Sequence, residues 1–225
     1  MQMAIDLKLV IGNKNYSSWS MRPWVLLRQA GIEFEEVQLK FADDNRVIGV
    51  EPWSPNRQVP VLFVNGDRVW DSLAIGEAVA ELFPGKNLWP QDSRARALAR
   101  SVCAEMHSGF RSLRSAMPMN IRASHPGRGM NDEVRGDIER IVAIWDECRD
   151  RFGGRGDLLF GDFTIADAYY APVVMRFITY EPPLPSSARR YIDIVRSLPA
   201  VAAWVSGALA ETEFVAADEP YARRA

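Results

Sequence analysis

Three short stretches carry residue types that can do chemistry together. In "NKNYSSWSMRPW" (Asn13 to Trp24), Tyr16, Ser17, Ser18 and Ser20 crowd a turn ahead of an apolar helix. A hydroxyl there either caps the helix or donates to an anion that the helix dipole also favours. A thiolate is such an anion: a cysteine-like thiol titrates at about 8.5 in water, and a helix N-terminus lowers that by about a unit or more. In "DSLAI" (Asp71 to Ile75), Asp71 stands beside Ser72 at the mouth of a second helix. First-turn amides receive a carboxylate, and Asp71 offers a charge to an ammonium. An α-amino acid head group has both on one carbon. The plainer alternative is a capping serine with an acidic neighbour. In "SPNRQVPVL" (Ser54 to Leu62), Pro60 sits where a strand should begin. That place suits an edge strand or a cis bond, and a cis bond would free the Val59 N–H and C=O to pair with an extended ligand.

The elements that must position these residues fall into two groups. "LKLVIG" (Leu7 to Gly12) reads as a buried strand ended by glycine. Pro23 is well tolerated only in a first helical turn, which predicts a helix from about Trp19 to Met21 that stops at Gly31. "FEEVQL" (Phe34 to Leu39) is a second strand, and "VPVLFV" with Asn65-Gly66 and "DRVWD" is a hairpin. Ser72 then opens "SLAIGEAVAELF". After the linker "PGKNLWPQD" strand signals almost vanish. Arg94 to Met117 reads as one long helix, and Glu133 to Phe152 places Val134, Ile138, Ile141, Val142, Trp145 and Cys148 on one apolar face. "FTIADAYYAPVVMRF" and "PAVAAWVSGALAET" add further helices. The expected architecture is a small α/β domain followed by an all-helical one.

Composition narrows the function classes. A net charge of −2 gives no electrostatic reason to expect nucleic acid. No apolar run reaches the roughly 18 residues of a membrane span, and the N-terminus does not read as a signal peptide. Cys103 and Cys148 form no CxxC and fit buried packing in a reducing cytoplasm. His107 and His125 lack a second ligand at metal spacing, so no metal is expected.

In order and spacing these stretches resemble a glutathione transferase, and the likeness runs through essentially the whole chain. "SSWSMRPWVLL" is most similar to the zeta-class serine motif, Ser-Ser-Cys-Ser before an arginine and an apolar helix. The resemblance implies a thioredoxin-like α/β domain over residues 1–83, a linker at 84–91, and an all-α domain over 92–225 that lines the pocket for a second substrate. It implies glutathione as a substrate. Ser17 would activate the thiol with Ser18 beside it, Gln58 would lie near the glycyl carboxylate, Val59 and cis Pro60 would meet the cysteinyl part, and Asp71 and Ser72 would hold the γ-glutamyl head. Ser20 is left as a capping residue, and Tyr16 ranks below Ser17 as the activating hydroxyl. "TIAD" (Thr164 to Asp167) resembles the family's helical capping box, a structural device.

The resemblance also implies a homodimer and a small electrophile as second substrate. For that electrophile, Phe110, Arg114, Met117 and Asn120 are the candidate lining, with Met119 offered by the same stretch. Arg111 and Arg122 join Arg114 as possible partners of an anion, against the alternative of a solvated helix face. Trp19 stands where the zeta pattern has cysteine, which leaves maleylacetoacetate isomerase activity weakly supported and omits the residue that disulfide exchange needs. The competing function is a non-catalytic interaction module on the same fold. The intact Ser17, Val59, Asp71 and Ser72 favour the enzyme.

Overall fold

The computed structural model describes residues 5–154 and 156–222. Its first part is a four-stranded mixed sheet in the order β2-β1-β3-β4, built from Leu7–Ile11 (β1), Glu35–Gln38 (β2), Val61–Val64 (β3) and Asp67–Val69 (β4). β1 runs parallel to β2, with Val10 opposite Val37, and antiparallel to β3, with Leu9 opposite Leu62. Asn65 and Gly66 both take positive φ, the backbone a tight hairpin turn between β3 and β4 requires. Two helices belong to this part, Ser18–Gln29 (α1) and Ser72–Leu82 (α2). The second part is helical: Ser93–Ser108 (α3), Arg111–Ala116 (α4), Asp132–Phe152 (α5), Ile165–Tyr180 (α6), Ser186–Ser197 (α7) and Pro199–Ala210 (α8). Among the described residues no strand follows β4.

Two boundaries differ from expectation. α1 begins at Ser18 rather than at Trp19 to Met21, so Pro23 lies in the second turn. Ser17 supplies the reason. Its side chain caps the helix by accepting the Ser20 N–H, and this sets the start ahead of what the proline alone suggests. The predicted helix from Arg94 to Met117 is two helices. It breaks at Gly109 and Phe110, where Phe110 takes φ +57 and a Cβ on Gly109 would meet the Glu105 carbonyl oxygen at 2.8 Å.

One apolar core joins the two parts. Leu9, Ile11, Leu26 and Leu62 from the sheet side continue into Trp145, Tyr169, Val174 and Trp204 from the helical side. α6 is its axis: every residue except Ile178 is buried. Asp167 anchors its N-terminus, fully buried, accepting the N–H and hydroxyl of Thr164 (2.9 and 3.1 Å), the Leu159 N–H (3.1 Å) and the Tyr191 hydroxyl (3.0 Å). Burial pushes its pKa up to about 6, and those donors pull the other way. The capping box expected at Thr164 and Asp167 is thus a four-donor knot beneath the core. Asp167→Ala would leave those donors without an acceptor and should cost roughly 3 kcal/mol of stability. Urea unfolding measures it, and a loss below about 1 kcal/mol would show that the knot is dispensable.

Candidate functional site

A cavity of about 800 Å³ opens where the sheet meets the helical part, and it gathers the three stretches. Ser17, Ser18, Gln58, Val59, Pro60, Asp71 and Ser72 all line it. The Val59–Pro60 bond is cis, and β3 begins only at Val61, so the Val59 peptide stands outside the β1–β3 ladder.

The hydroxyls divide by role. Ser17 is 4% exposed and donates to the Ser20 Oγ at 2.7 Å while capping α1. Ser20 Oγ also accepts the Gly12 N–H at 3.1 Å, tying the end of β1 to the first turn of α1. Ser18, the first residue of the helix, is half-buried and accepts from Arg176 Nη2 at 3.4 Å. Tyr16 turns to the C-terminal segment, donating to Glu219 Oε1 at 2.8 Å, and burial raises its pKa. Its proton is committed to Glu219, with the Glu213 carbonyl at 3.2 Å, rather than directed at the cavity.

At α2 the cap is Asp71, not Ser72. Asp71 Oδ1 accepts the Leu73 N–H at 3.0 Å, and Ser72 is the first helical residue. The Ser72 hydroxyl is buried and lies 3.0 Å from that of Tyr169 on α6. Asp71 Oδ2 meets His107 Nε2 at 3.0 Å. His107 also lines the cavity, although by sequence it stood out only as a metal ligand without a partner.

The candidate electrophile residues separate. Arg114 lines the cavity, but Phe110, Met117 and Asn120 do not: they are buried in the core of the helical part. Met117 follows the end of α4 with no exposed surface, and Asn120 Oδ1 accepts the Asn15 Nδ2 at 2.8 Å as an internal strut. The break at Gly109 is what turns these residues inward. Met119, offered by the same stretch, does line the cavity, together with Trp19, Ser115, Pro118, Arg176 and Asp218. Ser115, Pro118, Arg176 and Asp218 were not singled out by sequence, and Arg176 is the charged one among them on α6. It sat within an unbroken apolar run and carried no motif of its own.

Three guanidiniums crowd this end. Arg22 is buried against Trp19 and Tyr169, at 4.2 and 4.5 Å from the ring centroids, and Arg114 lies 4.1 Å from the Trp19 centroid. Burial pushes the Arg22 pKa down to about 10 and the Arg176 pKa down to about 9, and it lowers that of Arg114. Nε of Arg22 and Nε of Arg176 are buried with no hydrogen-bond partner among the described residues. Asp218 is the carboxylate at this end. Burial raises its pKa to about 6 against the pull of Arg176.

The remaining arginines are placed differently. Arg111 lines a shallower neighbouring cavity, and Arg122 is committed to the C-terminal segment. Arg122 donates to the carbonyls of Glu211 and Glu213 and, at 3.0 Å, to Tyr16 Oη. Arg122→Ala should release residues 211–222, since bonds to a charged donor contribute about 1.5–3 kcal/mol each. Amide exchange across that segment should quicken by about tenfold or more, and unchanged protection would disprove the strap.

Among the described residues, no group of His, Cys, Asp and Glu is placed to hold a metal ion, and no single helix is long and apolar enough to cross a membrane.

Comparison with known proteins places these features in company. Residues 16–82 match the family described as glutathione S-transferase, N-terminal domain, and residues 131–206 match glutathione S-transferase, C-terminal domain. Maleylacetoacetate isomerase of Mus musculus is 33% identical over 102 residues, 44% of this chain and 47% of that protein. The protein of the same name from Dictyostelium discoideum is 25% identical over 126 residues, 56% of each. The chain thus spans about half the length of these curated relatives. A solved glutathione transferase homolog from Burkholderia gl BGR1, with bound glutathione, superposes with a TM-score of 0.69 at 24% identity, covering 90% of this chain and 98% of that one. That likeness carries the fold.

Proposed function

The chain belongs to the glutathione S-transferase family, and we propose that it binds glutathione in the 800 Å³ cavity and delivers the thiolate to a small electrophile for conjugation, isomerisation or reduction. The observation that carries this is convergence. Seven residues from three separated stretches, Ser17 and Ser18, Gln58 to Pro60, and Asp71 and Ser72, line one cavity. An interaction module has no use for that convergence. In this reading the Val59 peptide pairs with the cysteinyl part and Gln58 reaches the glycyl carboxylate. Ser72 and the first amides of α2 receive the γ-glutamyl carboxylate, and Asp71 takes the ammonium. The sulfur sits at the N-terminus of α1, where a serine hydroxyl and the helix dipole favour the thiolate. The expected division at 1–83, 84–91 and 92–225, a homodimer and a cytoplasmic setting belong to the same proposal.

Arg114 and Arg176 give the reading a preference among electrophiles. Among the described residues neither guanidinium is bonded to a carboxylate, and this favours an electrophile that carries negative charge. The relatives named maleylacetoacetate isomerase add isomerisation to the chemistries worth assaying.

Two outcomes test the assignment. Ultraviolet absorbance should show the bound thiol titrating below about 8.5 in the wild type, and removing both Ser17 and Ser18 hydroxyls should raise that value by about a unit. Ser17→Ala by itself also removes a helix cap worth about 1 kcal/mol, so its fold is checked alongside. Ser72→Ala should weaken glutathione by about tenfold or more. A wild type that neither binds glutathione nor depresses its thiol would leave the interaction module standing. For the electrophile, Arg176→Gln should raise KM about tenfold for a carboxylate-bearing substrate and leave a neutral one nearly unchanged. Equal effects on both would remove the charge preference.

A further inference from the structure

The carboxylate assigned to the glutathione ammonium is already held when the ligand arrives. His107, near the end of α3, reaches across from the helical part and sets Nε2 3.0 Å from Asp71 Oδ2, while the Leu73 N–H takes Oδ1. On the glutathione reading above, we infer that His107 is a positioning residue of the head-group subsite: its Nε2–H fixes the Asp71 carboxylate in the orientation that meets the ammonium of a γ-glutamyl group.

The surroundings favour the neutral ring. Burial lowers the His107 pKa most, the attraction of Asp71 opposes it, and the cations Arg22 on α1 and Arg114 on α4 lower it further. Arg111 lines the neighbouring cavity together with His107, and the Trp19 ring packs edge-on at 5.1 Å. Arg22 and Arg114 thus oppose a charge on the imidazole, and Asp71 favours it. A neutral ring that donates from Nε2 has its lone pair on Nδ1, and Nδ1 is buried with no partner among the described residues.

Protonation and ligand binding then compete for one carboxylate. With a neutral ring, Asp71 keeps its full negative charge for the ammonium. With a protonated ring, the ion pair neutralises Asp71 and sets a second cation beside the ammonium. Each added proton disfavours the ligand, so by linkage bound glutathione lowers the His107 pKa further. Affinity should therefore hold through neutral pH and fall only at a pH below the ordinary imidazole value of about 6.5, because the ring in the free protein titrates lower. The α-amino group of glutathione stays protonated across that window, and its carboxylates stay ionised.

The test is calorimetric titration of the full chain with glutathione at about pH 7.5 and about pH 5, chosen because the histidine transition is lowered from its ordinary place. The variants are His107→Ala and His107→Gln, whose side-chain amide can donate to Asp71 without titrating. The wild type should weaken about fivefold or more between the two pH values, and His107→Ala should weaken about tenfold at the higher one. His107→Gln should stay within about twofold of wild type at the higher pH and lose the pH dependence. Glutathione lacking its α-amino group should bind wild type and His107→Ala alike. A His107→Ala affinity equal to wild type, or a His107→Gln variant that keeps the pH dependence, overturns the inference. A wild type that binds no glutathione at either pH sinks the glutathione reading itself. His107→Gln decides the matter even if His107→Ala does not fold.

Discussion

The packing of α1 against α6 is the contact on which the site depends. α1 buries Met21, Val25, Leu26 and Leu27, and α6 is buried along nearly its whole length. Fully burying one such side chain contributes about 1.5–3 kcal/mol, so this interface is a main source of stability. Through it runs a polar seam. Ser18 meets Arg176, Arg22 stacks on Tyr169, and the Tyr169 hydroxyl meets Ser72 at the head of α2. The seam joins the N-termini of α1 and α2 through side chains of α6. A shift of α6 along its axis would move both ends of the cavity together. Asp167 opposes that shift, because four donors from three residues converge on its buried carboxylate at the root of the helix.

The seam is costly. Burial depresses the pKa values of Arg22 and Arg176 to about 10 and about 9, each a differential of a few kcal/mol between charged and neutral forms. Both remain protonated at neutral pH. Buried cations are ordinarily paired, since their desolvation otherwise exceeds what they return. Here the surrounding apolar contact offsets the cost, and the aromatic faces of Trp19 and Tyr169 return part of it. A thiolate or carboxylate entering the cavity would recover more through Coulomb attraction at low dielectric. Charge held at a cost in a cleft is a common mark of a working site rather than of a stabilising one.

The legible part of the molecule was local in sequence. The Asn65-Gly66 turn and the Thr164–Asp167 box are each fixed by residues close to one another and stand in the structure as read, and the strand runs stand with shorter ends. At Pro60 the local residues left an edge strand and a cis bond open, and the resemblance pointed to the cis bond that is there. The electrophile end was not local. Whether Phe110 or Met117 faces the cavity depends on the break at Gly109, and a continuous helical pattern runs straight through that point. Arg176 hid for the opposite reason: in a fully buried helix the apolar pattern goes all the way round, so no face marks which polar residue meets a cavity. His107 and Asp71 are far apart in the chain and meet only because α3 passes the head of α2. No spacing rule reports such a meeting.

Trp19 draws the line between what the family shares and what this chain adds. In the resembled motif a cysteine occupies this place. Here an indole ring lies about 4 Å from two guanidinium carbons, those of Arg22 and Arg114, and 5.1 Å from the His107 ring. Contacts of this kind contribute about 0.5–2 kcal/mol each, the more so when desolvated. Trp19 therefore orders the cationic side chains that border both the head-group subsite and the electrophile end. It also fills volume that a thiol would leave open to a ligand. The positions proposed to hold the peptide frame rest on backbone geometry, a cis proline and helix N-termini, which tolerate changes around them. Selection of an electrophile, in the proposed reading, would rest instead on side chains of α1, α4 and α6 gathered about one indole. In this architecture the first set can stay fixed while the second is rebuilt, so on the proposed reading the reaction class and the substrate would be set by different parts of the same cavity.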